Sequence, residues 1–223
     1  MFSLSEHYFM TNNMKIVVNS IEDKLNESFF LEFRPIAIEA ISKYILEIKK
    51  FEASGGIRKV GIKNDAEKFI CNYHCNVIAS ITDLTVYEVF DTLWDVFSLY
   101  ACGGLIELYL RQKNESWYPK IILTEALIPN DINFLDDSFT IYRGCDIGEF
   151  DSKIFGQAWT TSLDVAKDFA YTHYLGQDWF NAENRIILET EYSRNDVLFY
   201  SAKSSEDEVV VKVDKLGYVR KHI

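Results

Sequence analysis

Ala158-Trp159-Thr160-Thr161-Ser162-Leu163-Asp164-Val165-Ala166-Lys167-Asp168-Phe169-Ala170 reads as a short strand that runs into a helix. Trp159 and Thr160 suit an extended chain. Ser162 stands where an N-cap belongs, and Val165, Ala166, Phe169 and Ala170 then share one helical face. The strand is expected over Gln157 to Thr160 and the helix over Leu163 to about Tyr174.

Apolar strand-like runs surround this segment: Phe139 to Arg143, Arg185 to Tyr192, Val197 to Tyr200, Glu208 to Val213 and Tyr218 to Lys221. Upstream the period is helical. Pro35 suits a first turn, and Ile36, Ile38, Ile41, Tyr44, Ile45 and Ile48 form a stripe that Gly55-Gly56 ends. Asn64 is a candidate N-cap for a helix over Asp65 to Ile78, and Thr85 for one over Val86 to Cys102. Gly103-Gly104 break that run, with further helices expected over Leu105 to Gln112 and Pro119 to Leu127. The fold class is therefore α+β, with a helical region over residues 1–130 packed on a strand-rich region over 131–223.

The chain has 223 residues, of which 48% are hydrophobic, enough for one large core or two small ones. Its net charge of −11 disfavours a general nucleic-acid binder and attachment to anionic membranes. Glu88, Asp91, Asp95 and Glu107 interrupt the most apolar stretch, Val86 to Leu110, which makes it a poor membrane span. The start of the chain lacks a basic region followed by an apolar stretch. Four cysteines without a framework spacing suit a reducing cytoplasm, where the protein is expected to reside.

Three polar signatures sit at the edges of the C-terminal strands. They are Tyr142-Arg143-Gly144, Trp159-Thr160-Thr161-Ser162 and Glu206-Asp207-Glu208. A guanidinium binds phosphate through a fixed fork, and Gly144 admits a close approach to the backbone. Hydroxyls fix a carboxylate rotamer. In an extended chain Glu206 and Glu208 project from one side, about 7 Å apart along the strand. Each signature has an ordinary alternative: a strand-end ion pair for Arg143, strand packing and a helix cap for Thr160 to Ser162, and a solvated acidic turn for Glu206 to Glu208. Together they are expected to converge around one crevice.

The set resembles the R-S-E class of ADP-ribosyltransferases, the cholera-toxin-like group with an arginine, a Ser-Thr-Ser strand and a Glu-x-Glu. The likeness covers about residues 139 to 213, and Thr160 stands where that family usually has serine. It implies a split β-sheet core that uses NAD as substrate. It also implies roles: Arg143 holds NAD near its phosphates and braces the site, Gly144 exposes backbone to the nicotinamide carboxamide, and Thr160 orients Glu208. Thr161 and Ser162 support the cleft. Glu208 bonds the nicotinamide-side ribose and stabilises its cation, and Glu206 positions or deprotonates the acceptor. Protein arginine is the favoured acceptor, with a nucleobase as the alternative. The same likeness suggests a toxin, phage-defence or host-takeover role, with a neutralising partner protein.

Two other functions fit the same residues: an NAD glycohydrolase, and a non-catalytic interaction protein that keeps a degenerate transferase fold. Tyr174, Trp179 and Phe180 are candidates to stack on nicotinamide, and Tyr200 and Lys203 to meet the acceptor. Cys71, His74 and Cys75 share a helical face but lack paired Cys-x-x-Cys spacing, so no metal is expected. His173, at a helix end, reads as structural or exposed.

Overall fold

The computed structural model describes residues 1–59, 61–78, 80–113, 116–177 and 179–222. The chain divides into two compact units, Met1–Ile122 and Leu123–Ile223. The division falls upstream of residue 130, because Leu127 and Asp131 donate backbone hydrogen bonds to Leu198 and Tyr200.

The first unit is helical, with α1 Leu4–Tyr8, α2 Val18–Leu25, α3 Arg34–Ala53, α4 Asp65–Ile78 and α5 Leu84–Leu110. Pro35 occupies the first turn of α3. Asn64 starts α4 as expected: its Oδ1 accepts from the Glu67 amide at 3.0 Å, and Glu67 Oε2 accepts from the Asn64 amide at 2.9 Å. Asp83, rather than Thr85, caps α5 by accepting from the amides of Thr85 and Val86. The break at Gly103-Gly104 is a kink inside one long helix, with Gly104 at φ 72. There Arg58 Nε and Asn64 Nδ2 donate to the Ala101 carbonyl, which satisfies an acceptor freed by the kink.

Helix α5 is long and apolar enough to cross a membrane by length and composition. Its Val86, Val89, Phe90, Leu93, Val96 and Phe97 are buried in the core of this unit, alongside Ile41, Ile45 and Ile48 of α3. The helix expected over Pro119 to Leu127 is not present. Lys120 to Ile122 run extended against Lys15 to Val17 through an Ile16↔Ile121 bridge, where backbone bonding and burial of Ile121 outweigh local propensity.

The second unit is one six-stranded antiparallel sheet. Its strands are β1 Ser138–Asp146, β2 Ala158–Thr160, β3 Arg185–Ser193, β4 Val197–Tyr200, β5 Glu208–Val211 and β6 Arg220–Lys221, in the order β4-β5-β2-β1-β3-β6. The sheet is continuous rather than split, but its middle is narrow. β1 and β3 pair along their whole lengths, whereas β1 and β2 meet only at Tyr142↔Thr160.

Helix α6, Ile147–Ser152, follows β1, and α7, Leu163–Tyr171, follows β2. Ser162 caps α7 as expected, its Oγ accepting from the Val165 amide. One sheet face carries Ile141, Cys145, Trp159, Leu188, Val209 and Val211 into the main core. The other packs Tyr142 and Ile187 beneath Ala166 and Ala170 of α7.

Candidate functional site

Register brings two of the expected residues, Thr160 and Glu208, onto one face. Thr160 is the cross-strand partner of both Tyr142 and Glu208. Tyr142 in turn pairs with Glu189, and Glu189 with Arg220. Direct cross-strand partners share a face, so Glu208, Thr160, Tyr142, Glu189 and Arg220 form one row across five strands. Arg220 Nε donates to Glu189 at 2.5 Å, the His222 ring bonds the same carboxylate, and His222 stands edge-on to Tyr142. A pocket of about 320 Å³ lined by Thr140, Glu189, Glu191, Gly217, Tyr218 and Arg220 lies at the Arg220 end. Four strand spacings, about 19 Å, separate that end from Glu208.

At the Glu208 end, the Thr160-Thr161-Ser162 segment grips the acidic loop by its backbone. Thr160 Oγ1 donates to the Glu206 carbonyl at 2.8 Å and accepts from the Ser162 amide at 3.0 Å. The Thr161 amide donates to the Asp207 carbonyl at 3.1 Å. The bonds shown for the Thr160 hydroxyl thus go to the main chain of Glu206 and Ser162. Asp207 is left-handed at φ 46, so Glu206 belongs to a turn and the doublet is not a straight strand as expected. The two carboxyls still lie within electrostatic reach. Burial first, then the Glu206 charge, push Glu208 up to about 7, and Arg143 pulls it the other way.

Arg143 follows Tyr142 along β1 and leaves on the opposite pleat, the one carrying Ile141, Cys145 and Leu188. The expected single crevice is therefore replaced by two pleats of a narrow sheet, with Arg143 and Glu208 coupled through charge. Its guanidinium is clasped by Glu149 of α6, with Nε to Oε2 at 2.9 Å and Nη2 to Oε1 at 3.0 Å, and Nη1 donates to the Ala158 carbonyl of β2 at 2.5 Å. Burial opposes the charge, but the bonds and charge of Glu149 outweigh it and hold Arg143 above its ordinary value. The guanidinium thus ties β1 to α6 and to β2. The fork proposed for phosphate grips a carboxylate.

Gly144 meets a close neighbour, and that neighbour is α7. A Cβ there would lie 2.2 Å from the Ala166 carbonyl oxygen and 2.5 Å from the Ala170 amide nitrogen. Gly156 plays the same part for Arg143, since a Cβ would fall 2.6 Å from Nη2.

Sequence reading missed Glu149, Gly156 and Arg185. The first had a signal: Asp146, three residues before Glu149, caps α6 by accepting from the Gly148 amide at 2.8 Å. Arg185 donates to the Phe169 carbonyl at 3.1 Å and lies over the rings of Tyr174 and Phe180. Tyr174 packs on Trp179 at 4.9 Å between centroids and His173 on Phe169 at 4.5 Å, so these aromatics form a cluster after α7. Asp178, inside that loop, is outside the described residues. The loop after β4 is pinned by Asp131, whose carboxylate accepts from the Ala202 amide at 3.0 Å.

Among the described residues no group of three or more His, Cys, Asp or Glu is placed to hold a metal ion. His74 packs on Trp94, and all four cysteines are free. No family model, no curated protein and no solved structure matches the chain.

Proposed function

We propose that the unit Leu123–Ile223 is the catalytic part of an NAD-dependent mono-ADP-ribosyltransferase of the R-S-E type, with protein arginine as acceptor. The observation that carries this reading is the half-buried Glu208, in register with Thr160, with Glu206 two residues earlier on a turn that the Thr160 hydroxyl holds. The narrow join at Tyr142↔Thr160, with three strands on either side, also supports an ADP-ribosyltransferase-like core.

In the reaction the bond from ribose C1′ to the nicotinamide nitrogen breaks, and its electron pair leaves with neutral nicotinamide, so no general acid is needed. Positive charge then builds on the sugar, as in glycoside cleavage. Glu208 must be ionised to stabilise it; a preorganised group of this kind is worth ~3–4 kcal/mol. The positive nicotinamide ring of NAD itself favours that ionisation. A guanidine nitrogen of the acceptor forms the new bond to C1′, and its proton passes to Glu206. Thr160, Thr161 and Ser162 hold the loop, and Arg143 braces β2 against β1.

The test is incubation with labelled NAD and a whole-cell lysate, followed by protease or nuclease digestion. Label that protease releases from polymer and nuclease leaves is the expected result. Nicotinamide release without transferred label would make the protein a glycohydrolase, and no nicotinamide release would make it a non-catalytic interaction protein.

A further inference from the structure

The Arg143–Glu149 clasp joins α6, β1 and β2, and β2 pairs with β5 at Glu208. Glu149 from α6 grips two nitrogens along one edge of the guanidinium, Arg143 comes from β1, and its third bond goes to the Ala158 carbonyl of β2. The Gly156 amide donates to Glu149 Oε2 at 3.3 Å and so closes the cradle from the chain entering β2. Two residues along that strand, Thr160 stands in register with Glu208. Gly156 is required because any side chain there would displace Nη2.

We propose that Glu149 is a positioning residue: by pinning the Arg143 guanidinium to β2 it fixes both the strand that pairs with Glu208 and the net charge that Glu208 meets across it. As a role in catalysis this rests on the transferase reading of Glu208.

A free guanidinium next to β2 would be a full positive charge. Clasped by a carboxylate it is half of a neutral pair, and Glu208 keeps its proton to higher pH. The charged and titratable groups around Glu208 are Glu206 on its own loop and Arg143 from β1; around Arg143 they are Glu149 from α6, Cys145 on the same strand and Tyr174 after α7.

The experiment is a carboxyl titration by NMR of the full chain carrying 13C-labelled glutamate, with Glu208→Gln used to assign the Glu208 signal. In Glu149→Gln the Glu208 midpoint is expected to fall by about one pH unit, because a positive charge is unmasked. In the double variant Arg143→Met with Glu149→Met, an apolar pair replaces the clasp and the midpoint is expected to rise. A clasp that only stiffened the unit would loosen in both variants and lower both midpoints, which would overturn the proposal. An unmoved midpoint in either variant would overturn it as well. If Glu149→Gln does not fold, the direction in the double variant decides alone. The readout needs no turnover: absent NAD cleavage sinks the transferase reading and leaves this one standing, whereas unmoved titrations sink this one whatever the turnover.

Discussion

Replacing Glu208 by glutamine keeps the size of a half-buried side chain and removes its charge. In the folded chain Glu208 keeps its proton to about pH 7; unfolded, it would lose it near 4.5. The folded state therefore binds the proton more tightly. The contribution of this group to stability is fully present below the unfolded value and is lost as pH rises through 7. At about 1.36 kcal/mol per pH unit, the ionised carboxylate costs the fold about 3 kcal/mol near pH 8 and under ~1 kcal/mol near pH 5. Glu208→Gln should therefore stabilise the second unit by up to about 3 kcal/mol near pH 8 and by much less near pH 5. Urea unfolding followed by circular dichroism at both pH values measures the difference. Hydrogen exchange at the Trp159 and Val209 amides, which flank the site on β2 and β5, assigns it to this unit. Equal gains at the two pH values would refute the reasoning, because the burial and the Glu206 repulsion that hold the proton would then be absent in solution.

If the proposed transferase reading holds, NAD cleavage should rise with pH through about 7 and then level off, since only the ionised form of Glu208 would stabilise the sugar cation; a profile falling over that range contradicts the assignment. Glu208→Gln should reduce nicotinamide release by about 10²–10³. Glu206→Gln should keep nicotinamide release and lose label transfer, and equal loss of both would remove its separate role. Thr160→Ser keeps the hydroxyl that bonds the Glu206 carbonyl, whereas Thr160→Val should cost about 1–3 kcal/mol of stability by thermal melting. Gly144→Ala drives a methyl into the α7 backbone and should cost about 1–3 kcal/mol in the same assay; an unchanged melting temperature would mean that α7 can move away.

Local signals were readable wherever one residue type served one local need. Ser162 and Asn64 announced helix starts, because a side-chain acceptor three residues ahead of free amides works in any fold. The continuous apolar, β-branched runs Val209-Val210-Val211 and Ile186-Ile187-Leu188 marked strands. Pro119 to Leu127 misled, since Lys120 to Ile122 are held extended by Lys15 to Val17, and Leu123 and Leu127 by Gln157 and Leu198, all far away in the chain.

Thus the sequence alone determined the α+β class, the positions of all six strands and the chemical kinship of Arg143, Thr160, Glu206 and Glu208, because period and residue chemistry are local properties. Only the tertiary structure decided that Thr160 is Glu208's partner, that Glu149 clasps Arg143, that Gly144 makes room for α7 and that Asp207 turns the acidic doublet. Each of these depends on strand register or on contact between segments distant in the chain. A shift of one residue in register would send every side chain to the other face without altering a single local preference.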